Sequence, residues 1–154
     1  MTKPSEKTLD FIKQWEGCRL QAYLDSAGVP TIGYGHTAGV RMGDTCTQEQ
    51  ADAWLREEVE WFQNAVLSAC SVTPNRNQLT ALVSFTYNLG LGNLRKSLLL
   101  KKHNARNFTG AAMEFLKWDK ARHPETKQLR AVPGLTNRRK AERQMYATPE
   151  GEQA

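Results

Sequence analysis

The segment that decides the fold runs from Glu16 through Asp25 to the glycine-punctuated stretch Thr31-Ile32-Gly33-Tyr34-Gly35-His36-Thr37. Ahead of it, apolar residues recur at helical spacing after Ser5, a residue type that caps helix N-termini. Gly17 stands where a residue with left-handed backbone commonly ends a helix. The pattern therefore predicts a first helix that ends at Glu16.

The residues that follow are typical of a β-hairpin. Residues 19–23 partly alternate between polar and apolar, residues 25–28 are rich in turn formers, and residues 30–34 favour a strand. More glycines come at positions 33, 35, 39 and 43. They argue against longer strands and indicate a small, loop-rich sheet lobe.

The rest of the chain predicts helices. Residues 47–50 fit a capping box, and apolar residues then hold one helical face as far as residue 69, a length of more than about 30 Å. Pro74 breaks this pattern. Further helices are expected at residues 78–89, 97–104, 109–120 and 136–146, with a loop at 123–134 and a frayed tail after Tyr146.

Together these patterns predict a single α+β domain over residues 1–154 that is mainly helical. We expect a β-hairpin lobe at about residues 17–46, joined by the long helix to a helical lobe at about residues 47–146. The N-terminal helix is grouped with the helical lobe. A cleft is expected between the two lobes.

The composition is that of a soluble globular protein. Of the 154 residues, 40% are hydrophobic and 24% are charged, and no stretch approaches the roughly 20 apolar residues that span a bilayer. No apolar run follows the first basic residue, so we expect synthesis in the cytoplasm and no stable membrane insertion. Three cysteines, an odd number without C-x-x-C spacing, predict reduced structural thiols and no metal site.

The net charge of +5 favours an anionic partner, either nucleic acid or a bacterial cell wall. Basic residues cluster near the C-terminus, where they could form a solvated helix face or face a ligand. No aromatic-interleaved RNA-binding pattern and no zinc-finger spacing accompany them. The cluster consists of Arg138, Arg139, Lys140 and Arg143.

Glu16, Asp25 and Thr31 are the residues that could carry chemistry. A helix that ends at one carboxylic acid, followed by a hairpin with a second carboxylate and a hydroxyl, can bring three polar groups to one cleft. Glycoside hydrolysis requires such a set, because one carboxyl group protonates the leaving oxygen and another acts on the opposite face of the sugar. Each residue also has a simpler interpretation, as a helix end, a turn former and a strand residue respectively.

In this order and at these separations, Glu16-Gly17, Asp25, Gly28 and the stretch from Thr31 to Thr37 resemble the motif of phage-type lysozymes, the endolysins of glycoside hydrolase family 24. The resemblance covers nearly the whole chain. Its later parts are Tyr87-Asn88-Leu89-Gly90, Ala111-Ala112 with Trp118, and Gly134-Leu135-Thr136-Asn137-Arg138-Arg139.

The resemblance implies a lysozyme-like fold and cleavage of the β-1,4 bond between N-acetylmuramic acid and N-acetylglucosamine in peptidoglycan. Glu16 would be the general acid, Asp25 the carboxylate that assists water, and Thr31 the hydroxyl that helps to hold that water. A water on the second side of the sugar favours inversion at the anomeric carbon. No metal and no organic cofactor is implied.

The resemblance also implies residues around the catalytic group. Tyr87 and Asn88 would form part of the cleft wall and contact the saccharide, as would Ser97. Arg138 would pair with the catalytic Glu16 and fix its rotamer, with the adjacent Arg139 as the alternative.

Partners and location follow from the same resemblance. The partner is peptidoglycan, degraded when a phage or prophage lyses its host, and no nucleic acid is expected. The protein would be a monomer, made in the host cytoplasm, that reaches the wall in the periplasm after a holin-like partner has permeabilised the membrane.

Three alternatives stay open at this point. A non-catalytic wall-binding module could use the same cleft, although it would not need all three polar residues. A lytic transglycosylase needs an acid but no water-activating carboxylate, so Asp25 argues against it. A basic helical protein could bind nucleic acid through phosphate contacts. His36 is excluded from the catalytic set and is expected to make a structural hydrogen bond or ion pair.

Overall fold

The computed structural model describes residues 2–151. They form seven α-helices and two antiparallel hairpins, and the chain is therefore mainly helical, as predicted. In chain order the elements are α1 (Glu6–Glu16), β1 (Arg19–Leu24), β2 (Pro30–Gly33), α2 (Gln48–Ala69), α3 (Arg76–Leu89), α4 (Leu91–Lys96), α5 (Leu98–Asn104), α6 (Phe108–Glu114), a 3-10 turn (Phe115–Lys117), β3 (Lys120–Arg122), β4 (Leu129–Ala131) and α7 (Pro133–Ala147).

The chain divides into two compact units, Met1–Trp61 and Phe62–Ala154. The boundary falls inside α2, and the hairpin β1–β2 belongs to the first unit. Helix α1 also belongs to the first unit, whereas the sequence analysis grouped it with the later helices.

Helix α1 begins and ends where the sequence predicts. The hydroxyl of Ser5 accepts a hydrogen bond from the backbone N–H of Thr8, which satisfies one of the donors left open at a helix N-terminus. At the other end Gly17 has φ 64° and ψ 158°, a positive-φ conformation that favours glycine. The chain therefore leaves α1 directly after Glu16 and turns into the hairpin.

The hairpin packs closely on the start of α2 because β2 ends in a glycine. Gly33 has φ 66°, and a Cβ atom at this position would lie only 3.3 Å from the Cβ of Ala51. Ala51 is fully buried, so a side chain on Gly33 would be crowded against α2, and the positive φ of Gly33 would strain it as well. The predicted capping box at the start of α2 is confirmed, since Thr47 Oγ1 accepts from Gln50 N at 3.1 Å and Gln50 Oε1 from Thr47 N at 3.0 Å.

In the second unit, α3 packs against α7. Phe85 of α3 is fully buried and meets the rings of Phe115 and Trp118 edge-on, with centroids 5.7 and 5.5 Å apart. A second capping box, between Asn75 and Gln78, starts α3 at Arg76, two residues earlier than predicted.

Two predictions about the second unit are wrong in detail, and one helix was missed. The expected loop at residues 123–134 contains the hairpin β3–β4, and Pro133 is the first residue of α7. The short helix α4, between Gly90 and Ser97, was not predicted. The segment after Tyr146 is held rather than frayed as far as Pro149, because Asn77 Nδ2 donates to the carbonyl oxygens of Thr148 and Pro149. Residues 152–154 lie outside the described part of the chain.

Several further features concern partners and cofactors. No helix within residues 2–151 combines the length and the apolar character needed to cross a membrane. In the same residues, no three His, Cys, Asp or Glu side chains group in a way that could hold a metal ion. The cysteines Cys18, Cys46 and Cys70 are free thiols, and burial raises the pKa of Cys70 to about 11.

His103 is the fully buried histidine at the centre of the second unit. Its Nε2 donates to the carbonyl oxygen of Val72 at 2.8 Å, so its Nδ1 accepts from the hydroxyl of Tyr146 at 2.7 Å. Burial lowers the pKa of His103, and the hydrogen bond to Val72 opposes that shift. The folded protein therefore holds this imidazole neutral.

This predicts a specific loss of stability in acid. Below the ordinary histidine pKa of about 6.5, the unfolded chain binds a proton that folded His103 does not, so the free energy of unfolding falls until the lower folded pKa is reached. The slope from one such group is at most about 1.4 kcal/mol per pH unit. In urea unfolding measured across this range, His103→Gln should show a smaller slope than the wild type. An unchanged slope would contradict the assignment.

Candidate active site

Glu16 is the last residue of α1, and its side chain is half-buried. Its carboxyl lies beside the turn that follows β2, because a Cβ atom placed on Gly35 would be 3.6 Å from Glu16 Oε1. Gly35 carries no side chain that would cover this face of the carboxyl. The predicted acid is therefore next to the predicted glycine-rich stretch, within the first unit.

Asp25 lies at the tip of the hairpin, directly after the last residue pair between the strands, Leu24 and Pro30. Its Oδ1 accepts hydrogen bonds from the backbone N–H groups of Ala27 at 2.8 Å and Val29 at 2.9 Å. The turn-former interpretation is therefore correct for this oxygen. The other oxygen, Oδ2, takes no part in these two bonds and can serve a water or a substrate.

Thr31 is in β2, opposite Tyr23 of β1, and is 3% exposed. Its hydroxyl donates to the carbonyl oxygen of Val29 at 2.8 Å. This bond uses the only hydroxyl proton, so the oxygen of Thr31 is left as an acceptor. Val29 thus binds both predicted residues, Asp25 through its N–H and Thr31 through its carbonyl.

His36 makes the structural contacts that the sequence analysis predicts. Its Nδ1 lies 2.6 Å from Glu58 Oε1 of α2, and its ring stacks on Trp54 with centroids 4.2 Å apart. Its backbone N–H and carbonyl both pair with Ile32. These contacts fix the glycine-rich stretch on α2, and with it the position of Gly35 beside Glu16.

The predicted substrate residues lie in the second unit. Tyr87 is near the end of α3, and its ring meets Phe62 edge-on with centroids 5.5 Å apart. Asn88 follows it, and its buried Oδ1 has no hydrogen-bond partner among the described residues. Their contact with saccharide stays a prediction.

Ser97 has a clear structural role, which the sequence analysis did not assign. It caps α5, since its hydroxyl accepts from Leu100 N at 3.1 Å and donates to the carbonyl oxygen of Leu94 at 2.7 Å. Ser97 is 5% exposed. Only one lone pair of its oxygen remains for a substrate, so its binding role stays a prediction.

Arg138 belongs to a buried charge cluster formed by Arg138, Arg139, Glu142 and Ser84. Arg138 Nη2 donates to the carbonyl oxygen and the hydroxyl of Ser84, at 3.1 and 3.2 Å. Arg139 Nη2 and Ser84 Oγ both donate to Glu142 Oε2, at 2.8 and 2.6 Å. Arg138 is 4% exposed, and Arg139 and Glu142 are fully buried. One interpretation of the basic cluster in the sequence was a solvated helix face. This interpretation is wrong for Arg138 and Arg139, because both are buried.

Two guanidinium groups and one carboxylate share this cluster. Burial raises the pKa of Glu142, while the charges of Arg139 and Arg138 and the bond from Ser84 act in the opposite direction. Burying charge is costly unless it is paired, so the cluster needs its partners in place. The sequence analysis missed Glu142 and Ser84. The i,i+4 spacing of Arg138 and Glu142 could have indicated an ion pair, but nothing local indicated its burial.

A model of the family described as phage lysozyme matches residues 13–142. The chain is 42% identical over 142 residues to the endolysin of Acyrthosiphon pisum secondary endosymbiont phage 1, which covers 92% of this chain and 96% of that protein. The matched range includes every predicted site residue.

Solved structures agree with these matches. The endolysin from Escherichia coli O157:H7 phage FAHEc1 is 42% identical with a TM-score of 0.87, covering 95% of this chain and 94% of that one. The muramidase domain of SpmX from Asticaccaulis excentricus is 34% identical with a TM-score of 0.90, covering 97% of this chain and 100% of that one.

The two roles of Asp25 can be separated by stability measurements. Asp25→Asn keeps an oxygen that can accept from Ala27 and Val29, so its free energy of unfolding should stay within about 0.5 kcal/mol of the wild type. Asp25→Ala loses both bonds and should be destabilised by about 1–2 kcal/mol. Urea unfolding measures both, with Asp10→Ala, an exposed site on α1, as the control. Equal effects of the two Asp25 substitutions would contradict the structural role.

Proposed function

This chain belongs to the phage lysozyme family, and from that premise we propose that it hydrolyses the β-1,4 bond between N-acetylmuramic acid and N-acetylglucosamine in peptidoglycan. It is a lysozyme-type glycoside hydrolase that lyses the cell wall. The assignment of individual residues, the stereochemistry, the partners and the place of synthesis are our proposals.

The hydrogen bonds of Val29 give the best support for the catalytic set. Its N–H donates to the carboxylate of Asp25, and its carbonyl oxygen accepts from the hydroxyl of Thr31. This fixes a carboxylate and a hydroxyl oxygen on one hairpin. Glu16 comes from a separate element and lies beside the turn at Gly35. Inverting glycoside hydrolysis needs a proton donor and a second carboxylate that assists water, and Glu16 and Asp25 could supply them.

The proposed mechanism uses the oxygen atoms that these hydrogen bonds leave available as acceptors. Glu16 donates its proton to the leaving glycosidic oxygen as the bond to the anomeric carbon breaks. A water on the other face of the sugar donates one hydrogen to Asp25 Oδ2 and the other to Thr31 Oγ1, because both oxygens can accept. A lone pair of the water oxygen then points at the anomeric carbon. Asp25 takes a proton from this water as the bond between the water oxygen and the anomeric carbon forms. The product is the inverted anomer.

We propose that Arg138 pairs with Glu16 and positions its carboxyl, with Arg139 as the alternative. The buried charge cluster supports this, since Ser84 and Glu142 hold the Arg138 guanidinium in one orientation. We also propose that Tyr87, Asn88 and the remaining lone pair of Ser97 contact the saccharide.

The location of the substrate implies a further partner. Peptidoglycan lies outside the inner membrane, so we propose that the protein is made in the host cytoplasm as a monomer and depends on a membrane-permeabilising, holin-like partner. No cofactor takes part in the proposed reaction.

The catalytic proposal predicts unequal losses in a panel of variants. With purified cell walls, Glu16→Gln should lower turnover at least about 1,000-fold, and Asp25→Asn about 100-fold or more, because each removes a proton-transfer group. Thr31→Val should be impaired, whereas Thr31→Ser keeps the acceptor oxygen and should be closer to the wild type. Arg138→Lys should alter the pH profile of the rate.

Loss of turbidity and new reducing ends measure these rates, and NMR of the first product reports the anomer. A fully active Glu16→Gln enzyme would refute the assignment. Binding of walls without new reducing ends would indicate a non-catalytic module, and anhydro ends would indicate a transglycosylase. Asp10→Asn, an exposed carboxylate on α1, is the matched control.

Expression in cells tests the need for a partner. The chain alone should accumulate without lysis, and lysis should follow when the inner membrane is permeabilised by an added agent. Glu16→Gln should accumulate equally and give no lysis after the same treatment. Spontaneous lysis by the wild-type chain would contradict the proposed dependence.

A further inference from the structure

Charge is distributed very unevenly between the two units. Residues 1–61 carry six Lys and Arg against ten Asp and Glu, a net charge of −4. Residues 62–154 carry 15 Lys and Arg against six Asp and Glu, a net charge of +9. The basic character of the chain therefore belongs to the second unit.

Burial removes little of this charge from the surface. Arg138, Arg139, Glu114 and Glu142 are buried, which leaves 13 basic and four acidic residues in the sequence of the second unit. A surplus of this size attracts anionic partners over a range of about one Debye length.

The hairpin from Lys120 to Ala131, which we call the basic hairpin, has a high density of these charges. Each residue of β3 and β4 is exposed, so the strands bury no side chain in the core. The hairpin contains four basic residues and one acidic residue, Glu125. The basic residues are Lys120, Arg122, Lys127 and Arg130.

Local bonds hold this hairpin together. His123 N donates to Gln128 O at 2.8 Å, and Arg122 Nη1 donates to the carbonyl oxygen of Lys127 at 2.9 Å. A two-stranded hairpin without an apolar face is only marginally stable in water. Packing therefore does not explain why these residues occur here.

Lys127 adds a second observation at the tip of the hairpin. Its φ is 62°, in the left-handed region where glycine or asparagine is less strained than a lysine. This conformation belongs to the turn that joins β3 and β4, and the side chain of Lys127 is exposed there. Here that side chain is a positive charge at the end of the hairpin.

Exposed apolar side chains accompany the charges. Leu129 is 57% exposed and lies opposite Arg122 across the strands, and Val132, the residue directly after β4, is 37% exposed. A phosphate polymer, or the carboxylates of wall peptides, would bind only the basic side chains of the hairpin. Cations beside exposed apolar side chains fit the surface of an anionic bilayer, which offers phosphates above an apolar layer.

We propose that the basic hairpin docks peripherally on anionic phospholipid membranes. Its lysines and arginines contact headgroup phosphates, and Leu129 and Val132 enter the interface. The contact is reversible and adds no membrane-spanning segment. It does not depend on the catalytic residues, so it would stand even if the proposed reaction were wrong.

Vesicle flotation of the full chain tests the proposal. The wild type should bind phosphatidylcholine vesicles that contain phosphatidylglycerol, bind pure phosphatidylcholine poorly, and be released by high salt. The triple variant Arg122→Gln, Lys127→Gln, Arg130→Gln should bind roughly 100-fold more weakly, since each cation contributes about a factor of five. Leu129→Ser should weaken binding further.

A matched triple variant controls for net charge. Lys3→Gln, Arg41→Gln, Arg56→Gln removes three exposed cations from the first unit and should bind almost as the wild type does. Met42→Ser, 53% exposed in the first unit, is the control for Leu129→Ser. Circular dichroism and the wall-lysis rate verify that each variant is folded.

Three outcomes would overturn the proposal. Failure of the wild type to float with anionic vesicles would exclude membrane docking. Equal losses in the two triple variants would mean that net charge alone drives binding. The hairpin triple variant could also pellet less with purified walls and bind vesicles as the wild type does. That result would mean that the basic hairpin binds the cell wall and not the membrane. An inactive enzyme that still binds vesicles would refute the proposed reaction and leave this inference intact.

Discussion

The site depends on two of the hydrogen bonds that Val29 makes. Its N–H holds a carboxylate oxygen of Asp25, and its carbonyl holds the hydroxyl of Thr31. These bonds determine which atoms remain available: one carboxylate oxygen and a hydroxyl that can only accept. The hairpin around them keeps its place because His36 is stacked on Trp54 and paired with Glu58. A loop-rich segment is thereby held in place, as the catalytic roles that we propose would require.

The second unit depends on a different constraint, the buried charges of α7. Glu142 takes hydrogen bonds from Ser84 and from Arg139, whose guanidinium also lies over the ring of Phe85 at 5.3 Å. Such a cluster is poor evidence for high stability, because desolvation offsets much of the attraction. It does restrict α7 to one rotation and one depth against α3, since any other position would leave charge buried and unpaired. We regard orientation of Arg138 as its main consequence.

Local signals in the sequence predicted local structure well. Ser5, Thr47 and Gly17 act through bonds or dihedral angles within a few residues, and the ends of α1 and the start of α2 were correct. The family assignment was confirmed, because ordered motifs are specific even when each is short. The hairpin β3–β4 was missed because its strands have three residues each and no buried face, so no alternation of apolar residues marks them. The burial of Glu142 depends on tertiary packing, which no spacing in the sequence reveals.

The opposite net charges of the two units affect how the molecule approaches a charged surface, as well as how it contacts that surface. In the field of a negatively charged surface, residues 62–154 are pulled inward while residues 1–61 are pushed outward. The two units therefore experience opposite forces before the molecule makes contact. Ionic strength sets the distance at which these forces begin to act, about 8 Å under physiological salt. Dilution would lengthen their reach, and concentrated salt would confine them to direct contact.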